Sequence, residues 1–128
     1  SLQQAFESYV HECVLPKASM HGLIETWWSK DRADAFARRL SDTGKARMLV
    51  PRQGTRDGRT RGTGCALIIS SEHPPSIDEE VIWERSDGKA MAANVTWRKR
   101  KMLVLITHLP HTDREREAFY TETREAIF

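Results

Sequence analysis

Glu25 closes the short apolar run MHGLIE (residues 20–25), and Thr26, Trp27 and Trp28 follow it directly. A carboxylate at the end of a buried strand can point into a cleft at the rim of a sheet. One carboxylate with waters is a common way to hold Mg2+, which prefers oxygen ligands and keeps part of its hydration shell. His108 is a second residue of this kind, in THLPHT, directly after the apolar run MLVLI, with Pro110 ending the strand. Imidazole gives or takes a proton near neutral pH, and His108 would lie beside Glu25 if their strands are neighbours. His111 reads as a solvated loop residue. Arg52, Arg56, Arg59 and Arg61 sit in PRQGTRDGRTRGTG, opposed only by Asp57. Guanidinium groups spaced by glycine suit contacts to phosphates. RKRK, with Arg98 and Arg100, is a second basic site. Trp27 can stack on a base or cover the edge of the core, and both readings stay open. Taken singly, each feature also has a plain reading: a Glu opening a loop, a structural His at a strand end, solvated basic turns.

The elements that must position these residues can be read from periodicity. Leu2, Phe6, Tyr9 and Cys13, with Ala5, Val10 and Val14, form a helical stripe ended by Pro16, and Ser1 with Gln4 fits a capping box. MHGLIE reads as a buried strand. Ser29 or Asp31 caps a second helix whose face is Ala33, Phe36, Ala37 and Leu40, and Gly44 ends it. ARMLV is a strand. After the Arg-Gly loop come four more strand candidates: CALIIS, EEVIWER, KAMAANVTW and MLVLITH. Asp87-Gly88 marks a hairpin between the second and third of these, and RKRK a turn between the third and fourth. CALII and MLVLI are apolar throughout, as expected of strands covered on both faces. Thr112 to Glu115 is a capping box, and the helix after it should bury Phe119 and Tyr120 with Ala126 and Ile127. The expected class is α+β, with a mainly antiparallel sheet flanked by helices.

Composition excludes several classes. At 128 residues, 39% hydrophobic and 30% charged, the chain can bury one core and is not disordered in type. No apolar run approaches the roughly 20 residues that span a bilayer, so no membrane partner is expected. Cys13 and Cys65 lie far apart in apolar contexts and read as two buried thiols in a reducing, intracellular compartment, the nucleus included. The net charge of +2 is too small for a polycation, so any phosphate binding must come from local clusters. The first residue is Ser, and no terminator follows the helical pattern at Phe128, so residues 1–128 read as one partial domain open at both ends.

In order, LIETWW, the helix DRADAFARRL, RGTGCALIIS, DGKAMAANVTW and LVLITHLPHTDREREAFY resemble the endonuclease/exonuclease/phosphatase superfamily (DNase I-like), and most closely its retrotransposon-type endonuclease branch. The resemblance runs from about Val10 to Phe128. It implies part of a four-layered α/β/β/α sandwich and a Mg2+- or Mn2+-dependent phosphodiesterase. Glu25 would be the metal-binding and catalytic carboxylate, and His108 would stand near the scissile phosphate. It also implies a nucleic-acid partner, DNA ahead of RNA, held by Arg52, Arg56, Arg59, Arg61, Trp27, Arg98 and Arg100. The family's late Asp-His motif and its Gly-Asp-Phe-Asn strand do not occur here, and its early Asn lies before the chain begins. The expected function is therefore the N-terminal portion of a nuclease. The alternative is a non-catalytic nucleic-acid-binding module of the same fold. Half a sandwich should also expose apolar sheet surface and strand edges, inviting self-association or a partner chain.

Overall fold

The computed structural model describes residues 2–24, 29–51, 64–70, 75–77, 81–85 and 88–128. Glu25, Trp27, Arg52, Arg56, Arg59, Arg61 and the Ser1 cap lie outside them.

Helix α1 (Leu2–Tyr9) continues into a π-helical turn, Val10–Val14, in which the Leu15 N–H donates to the Val10 carbonyl at 3.0 Å. One side of the expected apolar stripe faces the core. Val10 and Val14 are buried and Phe6 packs beside them, whereas Tyr9 and Cys13, expected on that stripe, are exposed. Cys65 alone fulfils the expectation of a buried thiol. Helix α2 (Lys30–Thr43) starts where Ser29 caps it, its side chain accepting from the Arg32 N–H at 3.2 Å. It ends at Gly44, whose φ of +70° is a left-handed conformation that glycine adopts without steric cost. Arg39 of α2 donates to Glu7 of α1 at 2.7 Å.

The strands divide between two antiparallel sheets. In the first, β1 (Met20–Ile24) and β2 (Ala46–Leu49) flank β3 (Cys65–Ser70), with Ile24 opposite Cys65 and Leu49 opposite Leu67. Every residue of β3 is buried, as its unbroken apolar run predicts. In the second sheet, β6 (Ala90–Trp97) pairs along its whole length with β7 (Arg100–Thr107). A strand has two edges, so β4 (Ser76–Ile77) and β5 (Trp83–Glu84) share the other edge of β6. Trp83 lies six positions after Ile77, while their partners Val95 and Ala92 lie three positions apart. Within EEVIWER, Trp83 and Glu84 form β5, and Glu79 and Glu80 lie outside the described residues.

Two clusters form the core. Val10, Val14, Ala33, Phe36 and Leu40 pack on Leu23, Met48, Ala66 and Ile68, so the first two helices cover one face of the β1–β3–β2 sheet. On its other face, Leu49, Cys65, Leu67 and Ile69 meet Met91, Val104 and Ile106 of the second sheet. Gly22 marks how closely the sheets approach: a Cβ there would lie 2.6 Å from Ile106 Cδ1.

Helix α3 (Asp113–Ile127) is capped by Thr112, whose hydroxyl accepts from the Glu115 N–H at 3.2 Å. It buries Phe119 and Thr123, one turn apart; Tyr120, expected to be buried, is 54% exposed. A second correction concerns β7. Its MLVLI run is only partly covered, with Leu105 39% exposed, because β7 is an edge strand whose one partner among the described residues is β6. The β6–β7 turn holds a further surprise. Trp97 pairs with Arg100, leaving a two-residue loop in which Arg98 (φ +50°) and Lys99 (φ +66°) are both left-handed. That is the type I′ pattern, which prefers Asn-Gly, and a non-glycine residue there costs about 1–2 kcal/mol. Among the described residues no helix is long and apolar enough to cross a membrane.

Candidate functional site

Four strand ends meet at one rim of the molecule. The last described residue of β1, Ile24, faces Cys65, the first of β3. The Cys65 thiol donates to the Gly88 carbonyl at 3.5 Å, just before β6 begins. The adjacent Lys89 carbonyl accepts from the His108 backbone N–H at 2.9 Å, at the end of β7. A continuous chain of contacts therefore runs from the end of β1 to His108. Glu25 is the next residue after Ile24 in the chain. The Arg-rich segment 52–63 also leaves and re-enters the described structure here, between Pro51, which follows β2, and Gly64, which precedes β3.

Gly64 controls how the two sheets close at this rim. Its φ is +73°, and a Cβ there would lie 3.0 Å from the Gly88 carbonyl oxygen and 3.3 Å from Lys89 Cα. Both obstacles are backbone, so neither can rotate away. Gly64→Ala is expected to lower stability by about 2–3 kcal/mol, from the left-handed cost plus a forced backbone shift. Urea unfolding of the variant would read this directly, and a loss below half a kcal/mol would show that the hairpin yields freely.

His108 is half-buried and lines a cleft of about 170 Å³ with Arg85, Lys89, Leu109, Pro110, His111 and Glu115. The His108 and His111 rings meet edge to face with centroids 5.9 Å apart. Arg85 lies over the Phe119 ring at 5.0 Å and pairs with Glu122 at 3.5 Å, which anchors the hairpin to α3. The cleft thus gathers nitrogen-bearing side chains from a hairpin and a strand end against one carboxylate, Glu115. Such a lining can accept an anionic group and offers His108 as a proton carrier beside it. Sequence reading missed Arg85, Lys89 and Glu115; His111 is the exposed loop residue it expected, and it also lines the cleft. The signals were the Asp87-Gly88 turn and the Thr112 cap, which bring these segments to one place only once the sheet is paired.

Arg98 and Arg100 are not part of this arrangement. They stand at the opposite end of β6 and β7, and an eight-residue strand spans about 24 Å. The second basic site therefore lies away from the cleft, while Arg52, Arg56, Arg59 and Arg61 lie outside the described residues. Among the described residues no three His, Cys, Asp or Glu side chains gather as a metal site, so the expected Mg2+ rests on Glu25, which lies outside them.

In comparisons with family models, curated proteins and solved structures, none matches this chain.

Proposed function

We propose that the chain is the N-terminal portion of a divalent-metal-dependent phosphodiesterase, a nucleic-acid endonuclease of retroelement type acting on DNA in preference to RNA. The observation that carries this reading is the convergence at one rim of the end of β1, the anchors of the Arg-rich segment and the half-buried His108 in a cleft with Arg85 and Lys89. In this reading the architecture is half of a four-layered α/β/β/α sandwich. The helical cover on one sheet, the second cluster between the sheets and Phe119 buried on α3 support it. Glu25 would be an oxygen ligand of Mg2+ or Mn2+, and the ion would neutralise charge on a bound phosphate. His108 would transfer a proton or steady charge at that phosphate. The guanidinium groups of segment 52–63 would hold the phosphate backbone. Ile24 is 52% exposed at the rim and, among the described residues, β7 is paired on one edge only, so a further segment or a partner chain has a place to pair.

The test is cleavage by the complete protein, with the segment that follows Phe128 included. Supercoiled plasmid should be nicked with Mg2+ and left intact with chelator, while the 128-residue chain alone should be inactive, because the residues that orient the water are missing from it. A complete protein that binds DNA without cutting it under any divalent ion would move the assignment to the non-catalytic reading. The specific observation on that side is the exposed basic tip at Arg98–Lys101, remote from the rim.

A further inference from the structure

The β6–β7 tip combines three features that a structural turn does not require. Its two loop residues, Arg98 and Lys99, both hold positive φ in a loop type suited to Asn-Gly. All four residues from Arg98 to Lys101 are exposed cations, and among the described residues none of them is paired with a carboxylate. The Arg98 guanidinium lies 4.7 Å over the half-buried Trp97 ring, and Arg100 is the cross-strand partner of Trp97. Cross-strand partners share a face and their neighbours point to the other, so Arg100 and Lys101 carry charge on both faces of the hairpin, with Arg98 and Lys99 at its end. A turn kept only to reverse the chain would relax to residues that favour the left-handed conformation. Unfavourable backbone at an exposed, uniformly charged tip points to a contact made by those side chains.

We propose that this tip is a second nucleic-acid docking site, separate from the rim, which grips the phosphate backbone through Arg98, Lys99, Arg100 and Lys101. The choice of polymer rests on the proposed nuclease reading; the placement of the site does not. The tip carries no exposed apolar residue that could enter a bilayer, since Trp97 lies half-buried beside Arg98, and a membrane-inserting loop needs one. Guanidinium groups flanking an aromatic ring instead suit a phosphate chain with bases alongside it. The site's position, about 24 Å along the strands from His108, means that it can hold one segment of nucleic acid while the rim engages another.

The double variant Arg98→Asn, Lys99→Gly tests this, because it gives the turn the residues its backbone prefers while deleting two cations. The 128-residue chain carrying it should melt about 5 °C higher and bind a short DNA duplex about tenfold more weakly at low salt, with the slope of log K against log salt reduced by about 2. Stability and binding should thus move in opposite directions, which a merely structural tip would not produce. Wild-type affinity and salt slope in the variant would overturn the proposal. Capture of the wild-type chain, but not the variant, by phosphatidylserine vesicles, with equal DNA binding by both, would also overturn it in favour of a lipid surface. Failure of the nuclease reading is read separately. A complete protein that never cuts, with the tip effect intact, sinks the rim assignment alone, whereas Mg2+-dependent cutting without any tip effect sinks the tip alone.

Discussion

Glu25→Gln in the complete protein is expected to slow Mg2+-dependent cleavage by about a thousandfold or more while the fold is retained. The amide keeps the size of the side chain and removes its charge, so it no longer offers an anionic oxygen to a cation that demands one. Members of a cooperating catalytic set are strongly non-additive, so one ligand lost costs nearly as much as the whole set. The fold should survive because the pairing of β1 with β3 runs from Met20 to Ile24, before Glu25 is reached. Single-turnover cleavage of a labelled duplex, with circular dichroism on the same preparation, separates the two effects. A Glu25→Gln protein that cuts at the wild-type rate would remove this carboxylate from the site.

Phe36→Ala is expected to cost about 3–5 kcal/mol of stability. Phe36 is fully buried on α2 and meets Phe6 of α1 edge to face, with centroids 5.9 Å apart and rings at 75°. It belongs to the same buried cluster as Val10, Val14, Leu23, Met48 and Ile68, which come from the first helical segment and from one face of the first sheet. Its ring is therefore the contact through which α1, α2 and the sheet share one core. Truncation removes the apolar area and leaves a cavity that two helices and a sheet cannot collapse to fill. Domains of this size are stable by about 5–15 kcal/mol in total, so the variant should lose a large part of its margin. In urea, the midpoint should fall with an unchanged m-value. Phe36→Leu, which keeps most of the volume, should cost clearly less, and equal losses from both would point to a lost aromatic contact in place of a cavity.

Local rules carried most of the elements. The caps at Ser29 and Thr112, the glycine at position 44 and the unbroken apolar run of β3 each act within a few residues of the chain, so pattern alone located them. The errors share a physical cause. Tyr9 and Cys13 are exposed because the face that meets the core runs through Phe6, Val10 and Val14 at four-residue spacing, and only packing chose it over the neighbouring apolar row. Tyr120 is exposed because the buried face of α3 is the narrow row of Phe119 and Thr123, one turn apart. MLVLI reads the same whether a strand is central or at an edge, and only its pairing made β7 an edge.

By itself the sequence determined the order and kind of most elements, the π-helical turn and β4 apart, and the residue types able to handle a metal, a proton or a phosphate. Those depend on periodicity, propensity and side-chain chemistry, all local. The tertiary structure alone decided which of these residues share a place. Sheet register puts the end of β1, Cys65, Gly88 and His108 at one rim and brings Arg85, Lys89 and Glu115 to the same cleft. The same register sends Arg98 and Arg100 to the far end of the sheet. Proximity between segments distant in sequence arises from strand pairing and from the packing of one sheet on another, and no window along the chain contains that information.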